Sequence, residues 1–151
     1  MGVVGEDEVT PMDRTRVLFL CTGNTSRSQM AEAILRDRAG ERFEAHSAGL
    51  EPSDVRPEAI AVLQEAGIST DGLRSKGVEE FLGRVHINYL ITVCSHAEEH
   101  CPRIWPPGGE RVFWPVDDPA VVDGSEEQRL AAFRQARDQL AHLIDEWIAQ
   151  P

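Results

Sequence analysis

Short apolar runs alternate with stretches of helical periodicity along most of the chain. Four runs have the length and the β-branched or aromatic content of strands, at residues 16–21, 43–47, 87–94 and 111–116. Helical spacing of apolar residues covers three longer segments and one short one, at residues 28–39, 57–66, 126–149 and 77–82. This alternation predicts a single α/β domain in which helices cover both faces of a parallel sheet.

Ordinary start and stop residues support the helix limits. Pro57 opens the second helical segment, and Gly40 and Gly67 lie just past the ends of the first and the second. We expect the first helix to be amphipathic. The last helix has one apolar stripe at helical spacing, in which Trp147 is interpreted as a core anchor; it consists of Leu130, Phe133, Leu140, Leu143, Ile144, Trp147 and Ile148.

The ends of the chain and its charge limit the classes of function. Residues 1–13 are acidic, contain Gly and Pro and lack apolar periodicity, so we predict a flexible tail before one domain at residues 14–151. No apolar run spans a membrane and no secretory signature is present, which favours a cytoplasmic protein without a membrane partner. A net charge of −11 argues against nucleic acid as a partner.

The loop after the first strand, "CTGNTSRS" at residues 21–28, has the composition of an anion-binding site. Gly23 permits positive φ and Asn24 tolerates it, so successive backbone N–H groups can point inward and form a nest. The following helix directs its positive end to the same point, and Arg27 adds a planar fork that matches two oxygens of an oxyanion. We predict that this loop binds a tetrahedral oxyanion.

Cys21 begins this loop and is the candidate nucleophile. Amide donors, the helix N-terminus and Arg27 all favour its thiolate, so we expect a lowered pKa. The alternative is a buried cysteine at a strand end, followed by an ordinary β–α turn. In open parallel sheets, ligands bind beyond the carboxyl ends of strands, so Cys21, Cys94 and the "DDPA" segment, residues 117–120, are predicted to lie together.

Several segments resemble the thioredoxin-coupled arsenate reductases of the low-molecular-weight protein tyrosine phosphatase superfamily. They are "VLFLCTGNTSRSQMAEAIL", "SAGLEPSDVRPEAI", "VCSHAEEHCP" and "DDPA", and the resemblance spans about residues 15–148. It implies a four-stranded parallel sheet. It also implies that Cys21 is the nucleophile and Asp118 the general acid, and that arsenate is bound by the loop formed by Thr22, Gly23, Asn24, Thr25, Ser26, Arg27 and Ser28.

The same resemblance implies a relay of three thiols. Cys94 would attack Cys21, releasing arsenite, and Cys101 would then attack Cys94. Thioredoxin would reduce the final disulfide, and no cofactor would stay bound. If residues 95–101 are helical, the two Cα atoms lie roughly 10 Å apart, whereas a disulfide needs about 4.4–6.8 Å. This segment would therefore have to unwind.

Three positions depart from the family pattern. Ser26 stands where relatives usually have cysteine, and Ala120 replaces the aromatic residue of true phosphatases. Asn24, Glu32 and Ser47 match the ligands of a monovalent cation that some relatives bind. Lys76, however, stands where an acid is expected and argues against that site.

Other functions remain open at this point. The same loop could hydrolyse phosphomonoesters such as phosphotyrosine through a Cys21 phosphoenzyme. The chain could also be a non-catalytic module that binds an oxyanion, or zinc through Cys94, His96, His100 and Cys101, although the spacing of these four is cramped. Asp118 argues against pure binding, which needs no acid for a leaving group. We expect a monomer without a bound metal.

Overall fold

The computed structural model describes residues 14–100 and 108–150. Its four strands form one parallel sheet in the order β2-β1-β3-β4, which confirms the predicted α/β architecture. The strands are β1 (Thr15–Cys21), β2 (Phe43–Gly49), β3 (Tyr89–Thr92) and β4 (Glu110–Phe113). The predicted acidic tail at residues 1–13 and the candidate Cys101 lie outside the described residues.

In the described part of the chain, four α-helices accompany the sheet: α1 (Arg27–Ala39), α2 (Pro57–Glu65), α3 (Ser95–His100) and α4 (Glu126–Ile148). The helix predicted at residues 77–82 is a single 3₁₀ turn, Val78–Glu80, and a second 3₁₀ turn spans Pro119–Val121. The strand predicted at residues 111–116 ends at Phe113. Trp114 N–H still donates to Thr92 O, but Pro115 has no N–H with which to continue the ladder.

The long helix α4 follows its predicted pattern. Ser125 and Gln128 form a capping box at its start, and Phe133, Leu140 and Ile144 are buried along one face. Near its C-terminal end, the Trp147 ring packs 5.0 Å from Phe43 and 5.1 Å from Tyr89, centroid to centroid. The half-buried Trp147 therefore anchors α4 to the starts of β2 and β3.

Helix α1 is not amphipathic, and that expectation is wrong. All eight residues from 28 to 35 are buried, including the polar Ser28, Gln29 and Glu32. These polar side chains form hydrogen bonds with the loop and with β2, so they do not need solvent. Only the last turn of α1 has an exposed charged face.

The strand order places a topological switch between β1 and β3. From β1 the chain continues to β2 on one side of the sheet, and β4 lies beyond β3 on the other side. In open parallel sheets, connections that run in opposite directions in this way lie on opposite faces, because such crossovers are right-handed as a rule. A crevice therefore opens beyond the carboxyl ends of β1 and β3. Within residues 14–100 and 108–150, no helix combines the length and apolar character that crossing a membrane requires.

Candidate active site

The loop between β1 and α1 is held by its carbonyl groups. Each of the five carbonyls from residue 21 to residue 25 accepts a hydrogen bond from a group beyond that segment, at 2.8–3.3 Å. The donors are the backbone N–H groups of Leu50, Glu51, Ser53 and Arg56 and the side-chain amide of Gln29. Because the carbonyls are occupied in this way, the loop can direct its N–H groups inward, as an anion nest requires.

Asn24 lies at the centre of this loop. It is the one non-glycine residue with positive φ among those described, at 54°, and it is fully buried. Its Nδ2 donates to Ser28 Oγ at 2.7 Å, while its Oδ1 accepts from Gln29 Nε2 at 3.0 Å and from Lys76 N–H at 2.7 Å. These bonds stabilise the strained backbone conformation that the loop needs.

Gly49 allows the end of β2 to approach the loop closely. A Cβ atom at this position would lie 2.7 Å from Thr22 O and 2.9 Å from Asn24 N, both backbone atoms that cannot easily move. Glycine is therefore required here for packing rather than for its backbone angles. The segment 49–56 supplies four of the five groups that donate to the loop carbonyls, a role that its sequence does not predict.

Cys21 Sγ lies among hydrogen-bonding groups but is buried. Ser28 Oγ lies 2.9 Å away, and Asn24 N–H donates to the sulfur at 3.1 Å. Burial raises the pKa of the Cys21 thiol, and the hydrogen bonds from Ser28 and Asn24 oppose this without outweighing it. The expectation of a lowered pKa for the Cys21 thiol is therefore wrong.

Arg27 begins α1 and points towards the segment after β4. Its Nη1 donates to Val116 O at 2.7 Å, and its Nη2 lies 3.7 Å from Asp118 Oδ2. Asp118 Oδ1 also accepts from Ala120 N–H at 2.9 Å, which fixes the carboxyl group at the start of the 3₁₀ turn. The structure thus brings the predicted arginine and the predicted acid together beyond the carboxyl ends of the strands, as expected for an open parallel sheet.

Cys94 reaches the same site from β3. Its Sγ lies 3.4 Å from the hydroxyl of Thr22, and that hydroxyl lies 2.9 Å from Nδ1 of His96. Cys21 and Cys94 are both free, buried thiols. Thr22 therefore connects the loop that begins at Cys21 with Cys94. The hydrogen bond to His96 was not predicted, because residues in unrelated segments give no local signal.

These groups line one open cleft of about 440 Å³. Its walls come from the loop, from the start of α3 and from the segment after β4, and they are formed by Thr22, Arg27, Cys94, Ser95, His96, Pro115, Val116, Asp117 and Asp118. A site of this size, with a guanidinium, a carboxyl group and a thiol facing it, suits a small oxyanion.

The zinc alternative finds no support in the described part of the chain. Residues 14–100 and 108–150 contain no group of three His, Cys, Asp or Glu side chains placed to hold a metal ion. His96 is hydrogen-bonded to Thr22, and His100 Nδ1 lies 2.8 Å from the carbonyl of His96. These contacts come from within the short helix and the loop, so the two rings serve as structural partners.

Beside the loop, Lys76 occupies the region of the expected monovalent cation. Its Nζ lies 2.8 Å from Arg74 O, 3.4 Å from Glu32 Oε1 and 3.5 Å from Ser47 Oγ. Burial lowers the pKa of Lys76, and the neighbouring Glu32 carboxylate opposes this. The residues present therefore do not fit a bound cation, because an ammonium group already contacts two of the three matching side chains.

Comparison with known proteins agrees with this geometry. A model of the low molecular weight phosphotyrosine protein phosphatase family matches residues 16–150. The chain belongs to that family. Within it, an arsenate reductase of Halalkalibacterium halodurans is 37% identical over 133 residues, which cover 88% of this chain and 94% of the relative.

Two solved structures extend the comparison for this family member. An arsenate reductase in the phosphate binding state is 31% identical, has a TM-score of 0.70 and covers 89% of this chain and 97% of its own. A Corynebacterium glutamicum thioredoxin-dependent arsenate reductase is 25% identical, has a TM-score of 0.64 and covers 98% of this chain and 68% of its own. The resemblance predicted from the loop motif is confirmed for family and fold.

Proposed function

We propose that the protein reduces arsenate to arsenite through a relay of the Cys21, Cys94 and Cys101 thiols, with a thioredoxin-like protein as the final reductant. The observation that carries this proposal is the position of Cys94. A phosphatase needs no second thiol, yet the Cys94 sulfur lies in the cleft, within 3.4 Å of a hydroxyl of the loop that begins at Cys21.

The first step uses the loop, Arg27 and Asp118. The amides of residues 22–28 and the Arg27 guanidinium hold the arsenate oxygens, and the Cys21 thiolate attacks arsenic. Asp118 gives its proton to the departing oxygen, which leaves as water. Ser28 and the Asn24 N–H support the thiolate form against the effect of burial.

The electrons come from two thiols in the next step. The Cys94 thiolate attacks Cys21 Sγ, forming an S–S bond, and the electron pair of the broken S–As bond stays on arsenic, which leaves as arsenite. Cys101 then attacks Cys94, which restores the Cys21 thiolate and creates the Cys94–Cys101 disulfide. A dithiol partner reduces that disulfide and becomes a disulfide itself.

Partner and location follow from the same chemistry. A reducing compartment keeps the three thiols available, which supports action in the cytoplasm. We propose that the enzyme acts as a monomer, since one chain supplies the loop, the acid and the relay. Thioredoxin as reductant is supported by the thioredoxin-dependent relative of C. glutamicum.

The test is NADPH oxidation in the presence of thioredoxin and thioredoxin reductase, measured with and without arsenate. We expect arsenate-dependent oxidation by the wild type and at least a ~1,000-fold loss for Cys21→Ser, which lacks the nucleophile. Cys101→Ser should release at most one arsenite per enzyme and accumulate the Cys21–Cys94 disulfide, which mass spectrometry detects. Sustained turnover by Cys101→Ser would contradict the relay.

Phosphomonoester hydrolysis is the second candidate, because Cys21, Arg27 and Asp118 are sufficient for it and the family includes phosphatases by name. Ala120 after Pro119 leaves no aromatic wall for a phosphotyrosyl ring at that position. With p-nitrophenyl phosphate, Cys94→Ser should keep the wild-type rate within about twofold. If this substrate is turned over faster than arsenate at equal concentration, hydrolysis is the main activity.

A further inference from the structure

We propose that the ammonium group of Lys76 is a built-in cation that replaces the monovalent ion beside the anion-binding loop. The loop of this chain would then keep its shape without added potassium. The inference concerns how the loop is held, and it applies whichever oxyanion reacts there.

Three acceptors surround the ammonium group. They are a backbone carbonyl, a carboxylate oxygen and a hydroxyl, from Arg74, Glu32 and Ser47, and they match in number the three N–H donors of a lysine. The side chains of Lys76 and Glu32 are 8% and 4% exposed, so this ion pair is largely shielded from solvent. A lysine ammonium is a compact point charge, the property that a monovalent metal ion would supply.

The same contacts leave no room for a second cation. A metal ion bound to Glu32 and Ser47 would lie within a few ångströms of the ammonium group, and like charges at such a distance repel strongly in a buried site. Asn24 Oδ1, the third matching ligand, already accepts from Gln29 Nε2 and from Lys76 N–H. The ligand set is therefore occupied by the protein itself.

Lys76 is also linked to the nucleophile. Its backbone N–H holds Asn24, and Asn24 Nδ2 donates to Ser28 Oγ, which lies 2.9 Å from Cys21 Sγ. Its carbonyl accepts from Gly49 N–H at 2.8 Å, at the end of β2. Lys76 thus joins β2, α1 and the loop, and we assign it as a positioning residue.

The experiment compares the wild type and Lys76→Ala in potassium, sodium and choline chloride at constant ionic strength. Two quantities are measured: the midpoint of thermal unfolding, and the affinity for inorganic phosphate from its protection of Cys21 against iodoacetamide. We expect the wild type to respond equally to the three salts. In choline, Lys76→Ala should unfold at a temperature lower by about 5 °C or more, because the buried Glu32 carboxylate loses the ammonium group and keeps only Arg36 and Ser47 as partners.

Potassium should restore part of that stability in Lys76→Ala, and should also restore the phosphate affinity, which we expect to fall about fivefold in choline. Lys76→Met fills the same volume without charge, so it should be as weak as Lys76→Ala in choline but gain nothing from potassium. Arg74→Gln is the matched control, because Arg74 is exposed and paired with Glu80, and it should behave like the wild type.

Three results would overturn the proposal. One is a wild type that gains stability or phosphate affinity from potassium over choline. The second is a Lys76→Met variant with wild-type phosphate affinity. The third is a Lys76→Ala variant that folds but ignores potassium. If Lys76→Ala does not fold in any salt, the proposal is tested by the response of the wild type to potassium and by the phosphate affinity of Lys76→Met. These readouts do not depend on arsenate reduction, so they separate this inference from the proposed function.

Discussion

The two buried thiols of the candidate active site, Cys21 and Cys94, are held in very different ways. Cys21 ends a central strand, and all five carbonyls of the segment it begins are hydrogen-bonded to groups outside that segment. Cys94 leads into α3, which has six residues and a single buried one, Ala97. Its sulfur meets the loop through one hydroxyl, that of Thr22, at 3.4 Å.

This difference matches what the proposed reaction asks of each thiol. An oxyanion site must keep its donors in place, because electrostatic stabilisation depends on preorganised groups. The second thiol must instead approach Cys21 and later move towards a third sulfur. A short helix that buries little apolar surface is inexpensive to unfold locally. The fold thus joins an anion loop held by many hydrogen bonds to a short helix with a single buried side chain.

Among the changes that test this difference, we expect the largest effect from substitution of Asn24 in the anion loop. Asn24→Ala removes the side chain that bonds Ser28, Gln29 and the backbone of Lys76, and it leaves alanine in a left-handed conformation. We expect kcat/KM to fall about 100-fold for both arsenate and p-nitrophenyl phosphate.

Thr25→Ala is the matched control, because its side chain makes one weak contact, with Ser26 Oγ at 3.4 Å. It should stay within about threefold of the wild type. An Asn24→Ala enzyme that lost only arsenate reduction would show that Asn24 acts on the relay rather than on the anion.

Helix α3 should lose protection against hydrogen exchange when the protein is oxidised. Two Cα atoms seven residues apart in a helix lie roughly 10 Å from each other, whereas a disulfide needs about 4.4–6.8 Å. We therefore expect formation of the Cys94–Cys101 disulfide to unwind α3. Hydrogen exchange followed by mass spectrometry should show at least ~10-fold faster exchange of residues 95–100 after oxidation, and no change in residues 21–28. Cys101→Ser, treated in the same way, should show no acceleration. Equal protection of α3 in both redox states of the wild type would rule out the unwinding.

The Thr22 hydroxyl connects the anion loop with Cys94 and with His96 of α3. Thr22→Val keeps the shape of the side chain but removes the hydrogen bonds to Cys94 and His96. Arsenate reduction should slow about five- to tenfold, the scale of one or two lost hydrogen bonds, while hydrolysis of p-nitrophenyl phosphate is unchanged. Equal losses in both reactions would mean that Thr22 serves the anion site alone.

The smallest expected effect concerns pH. Because burial raises the pKa of Cys21, ionisation of its thiol opposes folding at high pH. The stability that the protonated thiol contributes is complete below the pKa of the unfolded chain. It is lost as the pH rises through the higher pKa of the folded state. Alkylation of Cys21 should therefore reach half its maximum rate at a higher pH than that of an unfolded cysteine peptide.

Thermal unfolding provides the control for this prediction. The unfolding midpoint of the wild type should fall between pH 8 and pH 10 by about 1–2 °C more than that of Cys21→Ser, which has no thiol to ionise. A wild type and a Cys21→Ser variant with parallel pH curves would contradict the raised pKa.

The sequence predicts the parts of the site that depend on local pattern. The apolar run ending at Cys21, the small polar loop and the helix beginning near Arg27 have a recognisable order, and parallel strands bring Cys94 and Asp118 to the same edge. The alternation of strands and helices likewise predicts the sheet, because each element must bury one face.

The remaining features depend on contacts between distant segments. The backbone donors of residues 50–56 leave no trace in composition, and the close approach at Gly49 can be recognised only when β2 lies beside the loop. Burial of Gln29 and Glu32 has the same origin, since polar residues on a helix suggest a solvated face unless their partners are known. The raised pKa of Cys21 also reflects burial, which the loop motif does not specify.

The pairing of Arg27 with the Asp118 loop sets an order of events. The guanidinium that would hold the anion donates to Val116 O and lies 3.7 Å from the Asp118 carboxylate. An arriving oxyanion competes with that carboxylate for the same cation, so its binding weakens the hold on Asp118. Substrate arrival would thus release the Asp118 carboxyl group from its contact with Arg27 before an acid is needed for the departing oxygen. A single side chain would in this way couple anion binding to the position of Asp118.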